Sequence, residues 1–316
     1  MSITSNHHQS VMFDESIEGL NIKNGGTYID ATFGRGGHTQ GILDKLDDSG
    51  SVIAFDQDIH AVEYAKENFN DDRLTVIHSA FTHMGKLLNE RNLSGKIDGI
   101  LMDLGVSSPQ LDNAERGFSF NADGPLDMRM DQTHGMSAAQ WLEKADAVEI
   151  ANVIYEFGEE KRSRHIASAI KKYQQDKTIT TTLQLANIIA SVVKSHKNKH
   201  PATRSFQAIR IFINQELKQL IDALNQTTSL LAPEGRLSII SFHSIEDRIV
   251  KQFIQKNSKQ KQLPKGLPIM DSGAEQTLFK NLGKQFASKA EVSTNKRSRS
   301  AILRIAQRTT LEALTC

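Results

Sequence analysis

A strand that breaks into a glycine-rich turn and restarts as a helix constrains this chain more than any other feature. Residues 27–32 form the apolar strand-like run, and three glycines follow among residues 34–37. Glycine permits the turn and brings backbone N–H groups close to a ligand, because a Cβ atom would hold the ligand away. A second run, 51–56, ends in Asp56, 20 residues after Gly36. A carboxylate at that distance in a βαβ unit can reach ribose hydroxyls, so the segment predicts a nucleotide-type ligand.

Alternating strand and helix patterns predict an α/β fold. Strand-like runs at 27–32, 51–56, 74–78 and 97–103 alternate with helical patterns near 39–47, 59–68 and 82–90. This alternation is typical of a mostly parallel, Rossmann-like sheet with helices on both faces.

The alternation stops after Ser107 and is replaced by a turn-rich stretch and then by helical patterns alone. A helix over roughly 203–224 precedes another strand, 237–242, and a last strand at 301–305 could close the sheet edge. We therefore predict one α/β domain, residues 1–107 with 206–316, that is interrupted by an all-helical domain, residues 108–205.

Composition excludes several classes of protein. The 316 residues include 38 basic and 37 acidic side chains, and Cys316 is the only cysteine. A disulfide framework is therefore excluded, and the histidines show no metal-ligand spacing, so no metal is predicted. The polar start lacks the apolar core of a signal peptide, and no apolar run reaches the roughly 18 residues of a membrane-spanning helix. These features predict a cytoplasmic enzyme or binding protein without a membrane partner.

Basic side chains cluster in three segments despite the balanced total. Residues 194–210 and 248–265 hold Lys and Arg without acids, and 280–299 hold six against one acid. Such segments suit contacts with phosphates, although lysine-rich loops are also common where a chain is merely solvated. Both interpretations stay open from the charges alone.

The details of the turn favour S-adenosylmethionine over a dinucleotide. The third glycine departs from the G-x-G-x-x-G spacing, and Asp30 lies four residues before the first glycine. A sulfonium cofactor without a pyrophosphate would suit an acidic rim, with Asp30 near its methionine end and Asp56 at its ribose. The third strand leads to Phe81, which could reach the adenine, and the fourth ends in Asp103. Ligands of open α/β sheets bind at such strand ends.

The motifs along the chain resemble those of the bacterial ribosomal RNA small-subunit methyltransferase H family. The matching stretches are Tyr28–His38, Asp103–Leu111, Arg116–Phe120, Gly124–Asp131, His200–Ala208 and Ser241–Arg248. The resemblance implies a class I methyltransferase fold with an inserted helical domain, and methylation of N4 of a decoding-centre cytidine in 16S rRNA. It implies 16S rRNA or the small ribosomal subunit as partner. It also implies cofactor contacts at Gly36, Gly37, His38, Asp56, Phe81, Asp103 and Gln110.

Each candidate residue outside the cofactor turn allows two interpretations of its role. Asp103 could accept from the cofactor or from the reacting amine, or it could satisfy backbone donors at its strand end. Phe118 and Phe120 could stack on a splayed-out base or form a small local core. The candidate phosphate contacts Arg116, Arg204 and Arg210 could equally be solvated arginines. A second copy of the chain could widen an RNA surface, so a homodimer is also an expectation.

Two other functions remain open at this stage. A nicotinamide-dependent oxidoreductase is allowed by the spacing of Asp56 but opposed by the glycine spacing and by Asp30. A non-catalytic RNA-binding protein on a methyltransferase fold would bind the cofactor without labelling RNA.

Overall fold

The computed structural model describes residues 10–194, 200–259 and 277–310, which form two compact units. The first, which we call the sheet unit, combines the described residues up to Gly105 with those from Gln219 onward. The second, the helical unit, is Val106–Lys218. The helical unit is therefore inserted in the chain between the fourth and fifth strands of the sheet.

Seven strands in the described part of the chain form one sheet in the order β3-β2-β1-β4-β5-β7-β6. They are β1 Thr27–Asp30, β2 Ser51–Asp56, β3 Leu74–His78, β4 Ile97–Asp103, β5 Leu231–Ser241, β6 Phe279–Phe286 and β7 Ile302–Arg308. The five neighbouring strands β3, β2, β1, β4 and β5 pair in parallel. Strand β7 is antiparallel to both of its neighbours, β5 and β6. The sheet confirms the predicted mostly parallel, Rossmann-like class.

Helices cover both faces of the sheet. The α-helices are α1 Phe13–Leu20, α2 Gly37–Leu43, α3 Ile59–Asn68, α4 Met84–Asn89, α5 Ser108–Asp112, α6 Ala138–Lys144, α7 Ala147–Gly158, α8 Ser163–Gln174, α9 Thr182–Val192, α10 Thr203–Ile213, α11 Glu216–Leu230, α12 Ser244–Ser258 and α13 Lys289–Thr294. Ile29 and Ile53 pack with α4, α11 and α12 on one face, whereas Tyr28 and Val52 pack with α1 and α2 on the other. Because both faces of these strands are buried, their sequences are continuous apolar runs.

The C-terminal strands differ from the prediction. The expected edge strand at 301–305 is the inner strand β7, and β6 forms the edge instead. Most side chains of β6 are exposed, and the strand includes Lys280 and Lys284. Charged side chains on an edge strand discourage pairing with another chain. Because β6 is polar, its sequence has no apolar run that would predict a strand.

The helical unit has its own core. Phe206 and Ile209 of α10 are buried in it together with residues of α7, α8 and α9. The predicted second boundary, between residues 205 and 206, therefore lies 13 residues before the boundary at Lys218, because α10 packs with the inserted helices.

The helix predicted over 203–224 is interrupted at Asn214 and Gln215. Gln215 has a φ of +50°, a left-handed conformation that ends α10 before α11 begins. The Asn214 side chain accepts from the Met130 amide at 2.7 Å and donates to the Met128 carbonyl at 2.8 Å. The break therefore serves to hold the loop around Met128.

Two helices of the helical unit begin with different caps. Thr181 and Gln184 form a capping box at the start of α9. Asp146 caps α7 by accepting two backbone N–H groups, but Glu149 does not complete a box, because its carboxylate accepts from Trp141 Nε1 at 2.8 Å.

Replacing Gly36 with alanine is expected to lower the free energy of unfolding by about 2–5 kcal/mol. Gly36 has a φ of +72°, and a Cβ atom would collide with the rings of Phe33 and Phe69. Left-handed strain costs about 1–2 kcal/mol and overpacking about 1–3 kcal/mol. Urea unfolding followed by circular dichroism measures the loss. Gly95→Ala is the matched control, because Gly95 has the same φ with nothing within 4 Å. Equal losses in both variants would contradict the packing argument.

Candidate active site

Three carboxylates lie at the carboxyl edge of the parallel sheet. Asp56 ends β2, Asp30 ends β1 and Asp103 ends β4, and these strands are neighbours in that order. Ligands of open α/β sheets bind at this edge, where the strand order reverses, which is between β1 and β4 here. The structure therefore brings together the acids that were predicted from separate strand ends.

Asp30 lies beneath the glycine-rich turn. Its side chain is 0% exposed, and it accepts hydrogen bonds from Thr39 Oγ1 at 2.7 Å and from the Thr32 amide at 3.0 Å. Burial raises the pKa of Asp30, while these hydrogen bonds oppose the rise. Asp30 therefore links β1 to α2 through its hydrogen bond with Thr39. Because Asp30 is completely buried, the structure does not support the expected contact with the methionine end of a cofactor.

Asp56 holds the turn from the neighbouring strand. Its Oδ2 accepts the Gly34 amide at 2.8 Å, and its Oδ1 accepts the Asp58 amide at 2.8 Å. Burial raises the pKa of Asp56 to about 6, although both backbone hydrogen bonds act to lower it. Each carboxylate oxygen keeps a further lone pair. Asp56 can therefore brace the turn and still accept from two ribose hydroxyls.

Phe81 follows the end of β3, next to Asp56. The Ser79 amide donates to the Asp56 carbonyl at 2.9 Å, which ties the segment leading to Phe81 to the end of β2. The Phe81 ring is partly buried against the core of the sheet unit. The structure thus brings the predicted adenine contact to the same edge as the predicted ribose contact.

His38 and Asp103 face each other across the site, with 3.7 Å between Nδ1 and Oδ2. The Nε2 atom of His38 lies 3.2 Å from the Val11 carbonyl. Burial lowers the pKa of His38 to about 4, so the ring is neutral at pH 7. A carbonyl oxygen only accepts, which assigns the proton to Nε2 and leaves a lone pair on Nδ1. His38 therefore offers Asp103 an acceptor and not a positive charge.

Asp103 has an unsatisfied oxygen. Its amide donates to Thr32 Oγ1 at 2.7 Å, but its buried Oδ1 accepts from no donor among the described residues. Burial raises the pKa of Asp103 well above its usual range, and the negative charges of Asp30 and Glu246 raise it further. A buried acceptor without a donor fits a ligand that supplies an N–H group. Both a cofactor ammonium and an exocyclic amine have this property.

The loop after β5 is braced by Glu246. Glu246 Oε2 accepts the Phe242 amide at 3.0 Å, and the Glu246 amide donates to His243 Nδ1 at 3.4 Å. Glu246 is buried, so its charge acts on Asp103. Sequence reasoning missed this influence because no local pattern links residues 103 and 246.

Two predicted site residues of the helical unit make local hydrogen bonds. Gln110 accepts the Ser107 amide at 3.0 Å in the capping box of α5, and its role at the cofactor stays a prediction. Arg116 is buried and donates to the carbonyls of Arg129 at 3.1 Å and Met130 at 2.9 Å. Its guanidinium shapes that loop and does not form a surface cation.

The aromatic candidates of the helical unit belong to a local core. Phe118 is buried, and the Phe120 ring lies 4.6 Å from His200 and 4.9 Å from Phe206. The structure therefore favours packing over base stacking for these two side chains.

The two remaining arginines have different surroundings. Arg210 makes a bidentate ion pair with Glu216 at 2.8 and 2.7 Å. Arg204 is exposed and donates to the Glu159 carbonyl at 3.1 Å. Arg204 is thus the better placed of the two for an outside phosphate.

The fold and the strand-end site together define a class I methyltransferase that depends on S-adenosylmethionine. A mostly parallel sheet, a glycine-rich turn after β1 and acids after β1, β2 and β4 suit a cofactor that carries a sulfonium and a ribose. The chain belongs to the MraW methylase family, whose model matches residues 5–309.

Similar proteins cover nearly the whole chain. A protein of Ruthia magnifica subsp. Calyptogena magnifica, named ribosomal RNA small subunit methyltransferase H, is 71% identical over 96% of this chain and 99% of its own. A protein of the same name from Shewanella woodyi is 51% identical over 95% and 97%. The crystal structure of a putative rRNA methylase from Clostridium thermocellum is 12% identical, with a TM-score of 0.46 over 99% of this chain and 100% of that one.

No helix within 10–194, 200–259 and 277–310 is long and apolar enough to cross a membrane. In the same ranges no group of three or more His, Cys, Asp or Glu side chains could hold a metal ion. Parts of two predicted basic segments, 195–199 and 260–265, and the residue Cys316 lie outside the described residues.

Proposed function

We propose that this protein transfers the methyl group of S-adenosylmethionine to the exocyclic N4 of a decoding-centre cytidine in 16S rRNA. Membership of the MraW methylase family supports methyl transfer, and the names of the relatives support ribosomal RNA of the small subunit. The observation that carries the proposal for an amine acceptor is the buried Oδ1 of Asp103, which lacks a donor at the carboxyl end of β4.

The cofactor would be held mainly by the sheet unit. The proposed contacts are Gly36, Gly37, His38, Asp56, Phe81, Asp103 and Gln110. Ionised Asp56 would accept the ribose hydroxyls, and Phe81 would lie against the adenine. Neutral His38 would pack against the cofactor without repelling its sulfonium.

The reaction would be an in-line displacement at the methyl carbon. When bound, the cofactor supplies an activated methyl group whose leaving group is a neutral thioether, so no acid is needed to expel it. The cytosine amine is a weak nucleophile because its lone pair is delocalised into the ring. The site must hold and align this amine, and positioning can contribute several kcal/mol. Asp103 would accept a hydrogen bond from the amine and then take the proton that methylation releases.

The target cytosine would be splayed out of the RNA, as enzymes that modify bases require. We assign RNA recognition to the helical unit together with the basic side chains of residues 248–259 and 280–299 in the sheet unit. Arg204 remains a candidate phosphate contact because it is exposed. Arg116 and Phe118 are better explained as structural, because both side chains are buried. A homodimer stays a prediction.

The alternative functions differ from this proposal in what they bind and transfer. Family membership speaks against the nicotinamide-dependent oxidoreductase, since the family is one of methylases. A non-catalytic RNA-binding protein would bind S-adenosylmethionine and RNA but would leave RNA unlabelled.

The decisive experiment is to map the methylated nucleotide. Small ribosomal subunits and free 16S rRNA, both from cells that lack this activity, would be incubated with isotopically labelled S-adenosylmethionine, and the RNA digested and analysed by mass spectrometry. We expect label on N4 of a single decoding-centre cytidine. Label on a ring carbon or on another base would contradict the N4 assignment, and absence of label while cofactor binds would contradict the enzyme proposal.

A further inference from the structure

A groove with a volume of about 740 Å³ runs between α7 and α8 on the helical unit. Its α8 wall carries Arg164, Lys171 and Lys172, and its α7 wall carries apolar side chains such as Val148 and Ala151. The lining thus contains three cations and no carboxylate. The three cations lie outside the basic segments 194–210, 248–265 and 280–299, and they alternate with buried apolar residues along α8.

The positive charge comes from one face of α8. Residues 161–175 contain five Lys or Arg residues and no acid. Ile166 and Ile170 point into the core, so cations at helical spacing lie on the opposite face. Lys171 Nζ donates to the Leu142 carbonyl at 2.9 Å, which fixes its charge in the groove wall. Arg164 and Lys172 are exposed and form no ion pair within the described chain.

Helix α7 offers apolar surface along the face that borders the groove. Val148, which lines the groove, is 68% exposed, and Tyr155 is 61% exposed. Tyr155 is not part of the lining, but it lies seven residues after Val148 and therefore on the same face of α7. Solvent-exposed side chains of this size beside cations are characteristic of surfaces that bind single-stranded nucleic acid, where phosphates meet the charges and bases stack on aromatic rings.

No carboxylate is part of the groove lining, although the exposed Glu156 neighbours Tyr155 on α7. Glu149 accepts from Trp141 Nε1 at 2.8 Å, and Asp146 caps α7 by accepting the amides of Val148 and Glu149. A protein partner would need an acidic patch beside an apolar one, whereas an RNA strand has phosphates and bases along its whole length. Charge complementarity therefore favours RNA.

We propose that the groove between α7 and α8 binds a single-stranded stretch of the RNA substrate. Arg164 and Lys172 contact its phosphates, and a base stacks on Tyr155. The choice of RNA as occupant rests on the proposed function. The groove lies outside the residues proposed for the cofactor, so it contributes affinity and placement and takes no part in methyl transfer.

The test compares charge reversal in the groove with charge reversal elsewhere. The double variant Arg164→Glu with Lys172→Glu would be titrated into a fluorescent single-stranded fragment of 16S rRNA and followed by anisotropy at several salt concentrations. We expect affinity to fall at least tenfold, and the slope of log affinity against log salt to become shallower by about 1.4, since each single-strand phosphate contact contributes about 0.7. Affinity for S-adenosylmethionine, measured by calorimetry, stays unchanged.

A second variant tests stacking without a change in charge. Tyr155→Ala should weaken binding about fivefold or more, while Tyr155→Phe should restore it, because phenylalanine keeps the ring. Circular dichroism checks that each variant is folded.

The control variant is Lys45→Glu with Lys66→Glu. Both lysines are exposed. Lys45 follows α2 and Lys66 lies in the last turn of α3, so both are at the edge of the sheet opposite the three acids. This variant should bind RNA with less than a threefold loss. An equal loss in both double variants would overturn the proposal in favour of unspecific attraction. A dimer in light scattering that the groove variant alone converts to monomers would assign the groove to a second copy of the chain.

The groove and the proposed function can fail independently. If the groove variants lose RNA affinity but the unaltered protein labels no RNA, the proposed function fails and the groove stands. If the unaltered protein methylates RNA and the groove variants keep its affinity, its salt dependence and its KM for RNA, the groove proposal is wrong.

Discussion

Asp103→Asn is expected to lower kcat for RNA methylation by about 10²- to 10⁴-fold, the range in which positioned proton acceptors contribute. The side chain keeps its size and its place at the end of β4, but an amide cannot take the proton that the methylated amine must release. Burial and the charges of Asp30 and Glu246 raise the pKa of Asp103, which makes its carboxylate a stronger base. The loss should therefore lie in kcat more than in cofactor affinity.

Single-turnover kinetics with labelled cofactor and calorimetry with S-adenosylmethionine separate these two quantities. We expect the dissociation constant of the cofactor to change less than tenfold. Asp98→Asn is the matched control, because Asp98 lies at the other end of β4 and accepts from the Thr27 amide and from Lys23 Nζ. It should leave kcat within about threefold of the original. A large loss of cofactor affinity with an unchanged single-turnover rate would show that Asp103 only holds the cofactor.

The pH profile adds a test of the same role. Because the pKa of Asp103 is raised, the carboxylate is protonated, and inactive as a base, over a wider range at low pH. The single-turnover rate should rise with pH through that pKa and then level off. Asp103→Asn should lose this rising limb, and a variant that keeps it would assign the limb to another group.

Asp56→Ala is expected to weaken binding of S-adenosylmethionine by about 10- to 100-fold, since hydrogen bonds to a charged acceptor are worth about 1.5–3 kcal/mol. The substitution removes the acceptors proposed for the ribose and releases the Gly34 amide. Calorimetry measures the change. Asp56→Asn should show a smaller loss, because its amide oxygen can still accept one hydrogen bond.

The pH dependence of cofactor binding follows from the same carboxylate. Burial raises the pKa of Asp56 to about 6, and the ionised form is the one that accepts the hydroxyls. Affinity should therefore be constant above that pH and fall by about tenfold per unit below it. Both Asp56 variants should lack this fall.

The control for Asp56 lies at the other end of the same strand. Asp47 is exposed before β2 and accepts from the amide and hydroxyl of Ser49, so Asp47→Ala should leave cofactor affinity unchanged. A deoxyribose analogue of S-adenosylhomocysteine distinguishes ribose recognition from turn support. If Asp56→Ala weakens binding of the analogue as much as that of the ribose form, Asp56 acts only through Gly34.

The sheet and its ligand-binding edge could be predicted from the sequence because the patterns that indicate them are local. Continuous apolar runs, a cluster of glycines and an acid after each run are readable within ten residues, and three such acids indicated one edge. The antiparallel pair at the C-terminus was harder. Edge strand β6 is mostly polar, so its pairing with β7 depends on backbone hydrogen bonds that any side chains allow.

The roles within the site could not be separated in the same way. Asp30 and Asp56 have similar sequence surroundings, yet Asp30 is buried under Thr39 whereas Asp56 keeps lone pairs for a ligand. The proximity of His38 to the Val11 carbonyl and of Glu246 to Asp103 depends on residues far apart in the chain. Burial and long-range charge set their pKa values, and neither can be read from spacing.

In the helical unit, too, the roles of individual side chains depend on burial and could not be predicted from local sequence patterns. Several arginines and phenylalanines were candidates for RNA contacts, with a structural role as the alternative. Arg116 and Phe118 are buried, and Arg210 is paired with Glu216. The cations that line the groove come from α8, and the exposed Tyr155 lies on the neighbouring helix α7. Both helices have the sequence pattern of ordinary amphipathic segments. The amino-acid order was enough for the class of fold, the ligand edge and the family, because these follow from short-range patterns. Which charges face solvent, and which side chains share a groove, depends on helix packing, because burial is a property of the assembled core.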